Sequence, residues 1–391
     1  MFSARLTHGA ARNRLTVALE QRRVSGLPIV DLTLSNPTRA GFIYPPGLLT
    51  PLADTRGLRY EPMPFGLPDA RQAVSDDFAR RGANVPPERI VLTTGTSEGY
   101  SLLFKLLCDL GDAVLAPRPS YPLVEHLADL DAVVLESYSL EFHGVWSIDL
   151  NGLRATLASA SGRGRRVRAI IMISPNNPTG SVVTPAEARA VAALARDHSA
   201  ALIGDEVFAD YRFDKQQSPS MPDEVLTFRL GGLSKTIGLP QVKLGWIGVS
   251  GPATLVDDAM DRLETICDTY LSVSTPVQAA AADFLREGAA VRAQIQARVC
   301  GNLERLTAVA AAHPACSLLR PDGGWYAVVQ VPAIASEEAL VLGLLEDTGI
   351  LVHPGYFFDF DREAYLVVSL LPEPAIFHPA VEQLFREIGR S

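Results

Sequence analysis

Between residues 88 and 248 the chain alternates short apolar, β-branched runs with longer stretches of helical periodicity, which predicts strands and helices in turn. The strand runs are 89–93, 113–116, 169–173, 201–204, 226–230 and 244–249. Thr94-Gly95-Thr96-Ser97 turns the first of them into a helix reaching Leu107, and Pro117 and Pro119 break the second. The third stops at the turn-rich Ser174-Pro175-Asn176-Asn177-Pro178-Thr179-Gly180. Thr184-Pro185-Ala186-Glu187 then opens a helix with a capping-box pattern. This order predicts an α/β unit with a mostly parallel sheet flanked by helices. Beyond Gly251 an alanine-rich helical stretch continues to about Ala312, with a break near Thr275-Pro276. From Cys316 the pattern changes to strands at 324–330, 350–353 and 364–370 with two helices, a small α+β domain. The expected division is 1–50 as an arm and part of that small domain, 51–285 as the large domain and 286–391 as the small one.

Composition narrows the function. With 47% hydrophobic and 20% charged residues the chain can bury a large core. A net charge of -9 gives no electrostatic reason to expect nucleic acid or an anionic membrane as partner. The one basic cluster, Arg163, Arg165, Arg166 and Arg168, reads as a solvated loop entering a strand, with a polyanion patch as the other reading. Cys108, Cys267, Cys300 and Cys316 are scattered without a CxxC pair, which fits a reducing cytoplasm and no disulfide framework. The dispersed histidines offer no ligand-spaced pair, so no metal is expected. No apolar run is long enough to span a bilayer. The arginines ahead of residue 24 read as a basic helix and arm, although their composition also suits a transit peptide. Neither a GxGxxG nor a GxxxxGK[ST] element occurs.

The chemistry collects just past the strand ends, where open α/β sheets bind ligands. These ends carry Thr96 and Ser97, Tyr121, Asn177, Asp205 and the Ser234-Lys235 pair. An amine buried at such a place has its charged form disfavoured, and a neutral amine is a nucleophile suited to condense with an aldehyde cofactor.

Asn176-Asn177-Pro178-Thr179-Gly180, Asp205-Glu206-Val207 and Ser234-Lys235-Thr236-Ile237-Gly238-Leu239 together resemble the motifs of the class I and II aminotransferases, the fold-type I pyridoxal-phosphate enzymes. Spacings of 28 residues from Asn177 to Asp205 and 30 from Asp205 to Lys235 support the resemblance, which covers roughly residues 30–385. It implies a seven-stranded type of large-domain sheet, pyridoxal 5'-phosphate as cofactor and a homodimer with shared sites. It also implies that Lys235 is the catalytic residue and holds the cofactor aldehyde as a Schiff base. Asp205 would keep the pyridine nitrogen protonated. Thr96, Ser97 and Ser234 would hold the phosphate, Tyr121 would stack on the ring, and Asn177 would bond the phenolic oxygen and help seat substrate. Tyr60 would reach the phosphate of the neighbouring subunit.

Four positions depart from the family pattern. Phe208 stands where a tyrosine bonds the phenolic oxygen, Lys243 where an arginine binds phosphate, and Gly232 where a serine adds a hydroxyl. Val367 stands in Tyr365-Leu366-Val367-Val368-Ser369-Leu370, where an arginine pairs with the substrate's carboxylate. Either Arg39 or Arg118 supplies that contact, or the substrate has no carboxylate there; Asn36 is a further candidate substrate ligand. The expected reaction is transfer of an amino group from an amino acid or amine to a 2-oxo acid. The alternatives are an elimination on the same fold and, less favoured, a non-catalytic cofactor-binding regulator, whose DNA-binding module would need more sequence ahead of these motifs.

Overall fold

Strands that are apolar on both faces must be covered on both faces, and this places 167–173 and 201–205 at the middle of the molecule. The computed structural model describes residues 3, 5, 12–214 and 221–390, so much of the expected basic arm lies outside the described residues. Its main sheet has eight strands. In spatial order they are Ile90–Thr93, Gly245–Ser250, Thr227–Gly232, Ala201–Asp205, Val167–Ile173, Ala113–Arg118, Val134–Phe142 and Trp146–Ile148. Gly245–Ser250 runs antiparallel to both neighbours, Trp146–Ile148 is an antiparallel edge, and the other pairings are parallel.

The count exceeds the expected seven by one, because the chain folds back after Val134–Phe142 to add Trp146–Ile148. Neither strand was predicted. Glu136, Ser137, Ser139 and Glu141 interrupt the apolar pattern of the longer one, which is only half-buried. Nor does Pro117 end its strand, which continues to Arg118. Pairing with 167–173 stops at Leu115, so from there the strand is hydrogen-bonded on one side only, and an edge tolerates a residue with no N–H.

The arginine cluster is not a free loop. Arg163 and Arg165 both pair with Glu136, and Arg166 bridges Asp109 at 3.0 Å and Asp112 at 2.9 Å. Arg168 lies within a strand and donates to the Leu107 carbonyl at 2.7 Å. The alanine-rich stretch forms Ala253–Tyr270 and Ala289–Ala311 with short helical turns between. It first breaks at Leu271, which takes the left-handed conformation at φ 45°, before Thr275-Pro276. The capping box at Thr184 is present in full.

The smaller sheet is antiparallel, in the order Ser317–Leu319, Tyr326–Gln330, Tyr365–Ser369, His353–Pro354. The N-terminal segment is stitched to it. Val30–Asp31 pairs in parallel with Ile350–Leu351, and the Ser369 hydroxyl donates to the Leu34 carbonyl at 2.6 Å. Among the described residues no helix is long and apolar enough to cross a membrane.

A buried ion-pair network ties the sheet to the helix Pro68–Arg80. Arg229 grips Glu206 through two hydrogen bonds of 2.8 and 3.0 Å, Arg81 stands 3.5 Å from the same carboxylate, and both guanidiniums lie over the Phe78 ring. Removing Arg229 takes both close hydrogen bonds from a buried carboxylate and leaves it the longer contact to Arg81. Arg229→Ala is therefore expected to cost roughly 3–5 kcal/mol in urea denaturation; a loss below about 1 kcal/mol, the scale of an exposed pair, would contradict this account.

Candidate active site

Parallel strands deliver their C-terminal ends to one edge of the sheet. Ile90–Thr93, parallel to the rest through its antiparallel neighbour, delivers its end there too. Five chain reversals meet at that edge, carrying Thr96 and Ser97, Tyr121, Asn177, Asp205 and Lys235.

Lys235 lies in the one-turn helix Leu233–Thr236, directly after a fully buried strand. Its Nζ sits 5.1 Å from the ring centre of Trp325 and 5.8 Å from that of Phe208. Loss of water lowers the pKa of the amine, and the negative charge of Asp205 partly opposes this. The buried Tyr211 hydroxyl donates to the Lys235 carbonyl at 2.6 Å and fixes the turn. Phe208 fills its place as a packing ring, edge-on to Trp325 at 5.2 Å.

Asp205 ends the central strand, 8% exposed. Burial pushes its carboxyl from 3.8 up to about 6, against the hydrogen bonds from the Tyr100 hydroxyl and the Val207 amide. Those bonds measure 2.9 and 3.2 Å. One loop away, the amide oxygen of Asn177 is buried without a hydrogen-bond partner. An enclosed carboxylate and an orphaned amide at one edge suit a ligand that brings a cationic ring nitrogen and a polar substituent.

The helix Thr96–Leu107 presents its N-terminus to the same edge, with Thr96 half-buried and Ser97 exposed. Unpaired amides and the helix dipole make such an end attractive to phosphate. Lys243 supplies the countercharge: its Nζ lies 3.8 Å from where a β-carbon on Gly95 would stand. It is held in the left-handed region at φ 61°, uncommon for a lysine. Gly232 has a spatial reason. A β-carbon there would meet the Leu244 carbonyl oxygen at 3.0 Å and Gly245 Cα at 3.1 Å, so a serine would require the neighbouring strand to give by a few tenths of an ångström. Ser234 is half-buried beside Lys235.

Tyr121 is 52% exposed, on a loop tied to the Asn177 loop because Ser120 bonds Asn176 at 3.2 Å and Asn176 donates to the Pro119 carbonyl at 2.9 Å. Arg118, next to it, is paired with Asp359 of the small domain at 3.0 Å. Asn36 uses its side-chain oxygen to cap a turn, accepting from the Thr38 amide and hydroxyl at 3.0 and 2.7 Å. That turn, Pro37–Arg39, packs against Gly238, just past Lys235. The Arg39 guanidinium is exposed and makes no ion pair among the described residues. Tyr60 stands apart at 78% exposure, lining a separate groove with Met63, Tyr270 and Gln278. Val367 is fully buried, with Val328 and His353 as its cross-strand partners.

The model of the family "Aminotransferase class I and II" matches residues 50–374. The chain belongs to that family. Among the relatives of this aminotransferase-family chain is the glutamate-pyruvate aminotransferase AlaA of Escherichia coli (strain K12), 26% identical over 89% of this chain and 87% of that protein. The aspartate/prephenate aminotransferase of Thermus thermophilus is 29% identical, over 96% of this chain and 94% of its own length. The fold matches the alanine aminotransferase from Pyrococcus furiosus with a TM-score of 0.89 over the whole of both chains at 21% identity. Family and fold imply pyridoxal-phosphate binding and an aminotransferase-type activity.

Sequence reasoning missed Tyr100 and Trp325. Tyr100 lies one helical turn after Thr96 within an apolar face, and its pattern is that of any core tyrosine. Trp325 arrives from the small domain, and no local signal marks it.

The raised carboxyl of Asp205 makes a thermodynamic prediction for the cofactor-free protein. An acid whose folded pKa is raised adds stability below its unfolded value and loses it as pH climbs through the folded one. A rise from 3.8 to about 6 corresponds to ~3 kcal/mol. Denaturation of the apoprotein at about pH 5 and about pH 8 is expected to show Asp205→Asn gaining on wild type by roughly half that amount at the higher pH, because the rest is already lost between 3.8 and about pH 5; equal pH slopes would contradict the assignment.

Proposed function

We propose that this chain is a pyridoxal-phosphate-dependent aminotransferase, moving an amino group from an amino acid or amine to a 2-oxo acid by a two-half ping-pong reaction. The observation that carries the reading is the meeting of a desolvated amine, Lys235, with an enclosed carboxylate, Asp205, beside the orphaned Asn177 amide. When bound, the cofactor supplies an aldehyde to hold the substrate nitrogen and a ring that accepts electrons from the substrate's α-carbon. Lys235 would hold that aldehyde, and as a free amine it would move the proton at the α-carbon, which its lowered pKa favours. Asp205 would keep the ring-nitrogen proton in place, which an amide could not do. Thr96, Ser97, Ser234 and Lys243 would hold the phosphate, and Tyr121 would stack on the ring.

A 2-oxo acid carries a carboxylate next to its reacting carbonyl, so one half-reaction needs an anion contact whatever the donor. Val367 cannot supply it. Arg118 is already paired with Asp359, which leaves Arg39, on the segment packed beside the Lys235 turn, as the reading that the ion pairs favour. Ile43, Leu58, Tyr60, Met63 and Tyr270 are large apolar side chains left exposed, and they support a homodimer in which Tyr60 serves the partner's site.

Borohydride reduction of the holoenzyme followed by peptide mapping is expected to fix the cofactor on Lys235, and Lys235→Ala is expected to fix none. A cofactor trapped on a different lysine would end the proposal. Incubation with donor and oxo acid is expected to yield one new amino acid per donor consumed. Release of a 2-oxo acid and an eliminated group without that product would favour the elimination reading. Sedimentation is expected to give a dimer, and a monomeric holoenzyme would remove Tyr60 from the site.

Arg39→Ala is expected to raise KM for the oxo acid by about tenfold or more, the scale of a lost charge-assisted contact, with little change in the rate of cofactor conversion by a carboxylate-free amine. An unchanged oxo-acid KM would return the role to Arg118.

A further inference from the structure

Among the described residues the Tyr100 hydroxyl has one hydrogen-bond partner, Asp205. Its ring is fully buried and packs against Phe104 with centroids 6.0 Å apart, and its oxygen stands 2.9 Å from Asp205 Oδ2. Burial and the neighbouring carboxylate hold the phenol well above its usual pKa, so it stays protonated and remains a donor. The other donor to Asp205 is the Val207 amide at 3.2 Å. The charged and titratable groups that act on the carboxylate are Tyr100, Glu206, which disfavours its ionisation, and Lys235, which favours it; Tyr138 in turn acts on Tyr100.

We propose that Tyr100 is a positioning residue: its hydroxyl holds Asp205 ionised and aimed, and so sets how firmly the chain grips a protonated ring nitrogen. This rests on the reading of Asp205 as the pyridine partner. The chemistry is one-directional. A phenol donates to a carboxylate and stabilises its charged form, whereas a carboxylic acid has already lost the charge that a ring cation needs. The placement adds a mechanical link. Thr96 and Ser97 lie in the first turn of the helix Thr96–Leu107 and Tyr100 lies one turn later. One rigid element therefore bears on both ends of the cofactor site, the phosphate end through its N-terminus and the ring-nitrogen end through Asp205. A tyrosine serving only the core would need its ring and not its hydroxyl.

Tyr100→Phe keeps the ring and removes the donor. In apoprotein carrying carboxyl-labelled aspartate, with the Asp205 signal identified by its loss in Asp205→Asn, carbon NMR is expected to show the Asp205 titration midpoint rising by about one pH unit or more in Tyr100→Phe. Cofactor affinity, read by fluorescence quenching on adding pyridoxal 5'-phosphate to apoprotein, is expected to fall about tenfold at about pH 5, below both midpoints, and about twofold near neutral pH. The deficit should shrink at higher pH, as the carboxyl ionises again. A fluorinated tyrosine at position 100, a more acidic donor in the same space, is expected to move the midpoint the other way and provides the test should Tyr100→Phe not fold. Equal midpoints in wild type and in whichever of these variants folds would overturn the proposal. If the midpoint moves but Asp205→Asn binds the cofactor as tightly as wild type, the pyridine-partner reading fails while the action of Tyr100 on Asp205 stands.

Discussion

A carboxylate at the end of a strand buried on both faces has to find compensation for the water it gave up, and the centre of this molecule is arranged around that need at Asp205. Two successive acids leave the strand Ala201–Asp205, and the fold treats them differently. Glu206 receives a full cationic complement from Arg229 and Arg81, so its charge is settled within the protein. Asp205 receives a phenol and one backbone amide, enough to orient it and too little to neutralise it. Its raised pKa expresses that remaining deficit, and a cation at the sheet edge is what removes it.

The rest of the site follows from the same edge. Strands packed closely at Gly232, where a β-carbon would stand 3.0 Å from the Leu244 carbonyl oxygen, hold the Lys235 turn beside Asp205. A phosphate at this edge would meet a helix terminus and a lysine held in an uncommon backbone conformation, at φ 61°. Against this rigid half stands the small domain, to which the N-terminal segment is tied through a separate two-stranded sheet and which contributes Trp325 beside the Lys235 amine. The elements that would recognise substrate, Pro37–Arg39 and the region of Asp359 paired with Arg118, lie on that second half or between the two.

The departures from the family pattern are not equivalent. Gly232 and Phe208 are accounted for by packing: one by the close approach of two strands, the other by an aromatic cluster that includes Trp325. Lys243 keeps the charge near the helix terminus while giving up the two-pronged geometry of a guanidinium. Val367 has no such compensation on its own strand, where its cross-strand partners are Val328 and His353. This separates the departures that packing or a retained charge accounts for from Val367, whose strand offers no cation.

Some of this was legible in the chain alone. Alternating β-branched runs require a covered parallel sheet because nothing else buries them, and a strand's direction places the residues after it at the binding edge. Asn177, Asp205 and Lys235 were accordingly readable from motif and spacing, and the Thr184 capping box from local hydrogen-bond chemistry. What the pattern concealed had a cause. The strand Val134–Phe142 carries acids because it is half-buried near the sheet's edge, and Pro117 sits inside a strand because one of its neighbours has already peeled away. No local signal marks the bond from Tyr100 to Asp205, the approach of Trp325 to Lys235, or the pairing of Arg118 with Asp359. Local sequence determines which groups a segment can offer and which face it must hide. Which of those groups meet, and so which charges are left for a ligand to satisfy, depends on contacts between residues far apart in the chain, and those exist only once the tertiary structure has formed.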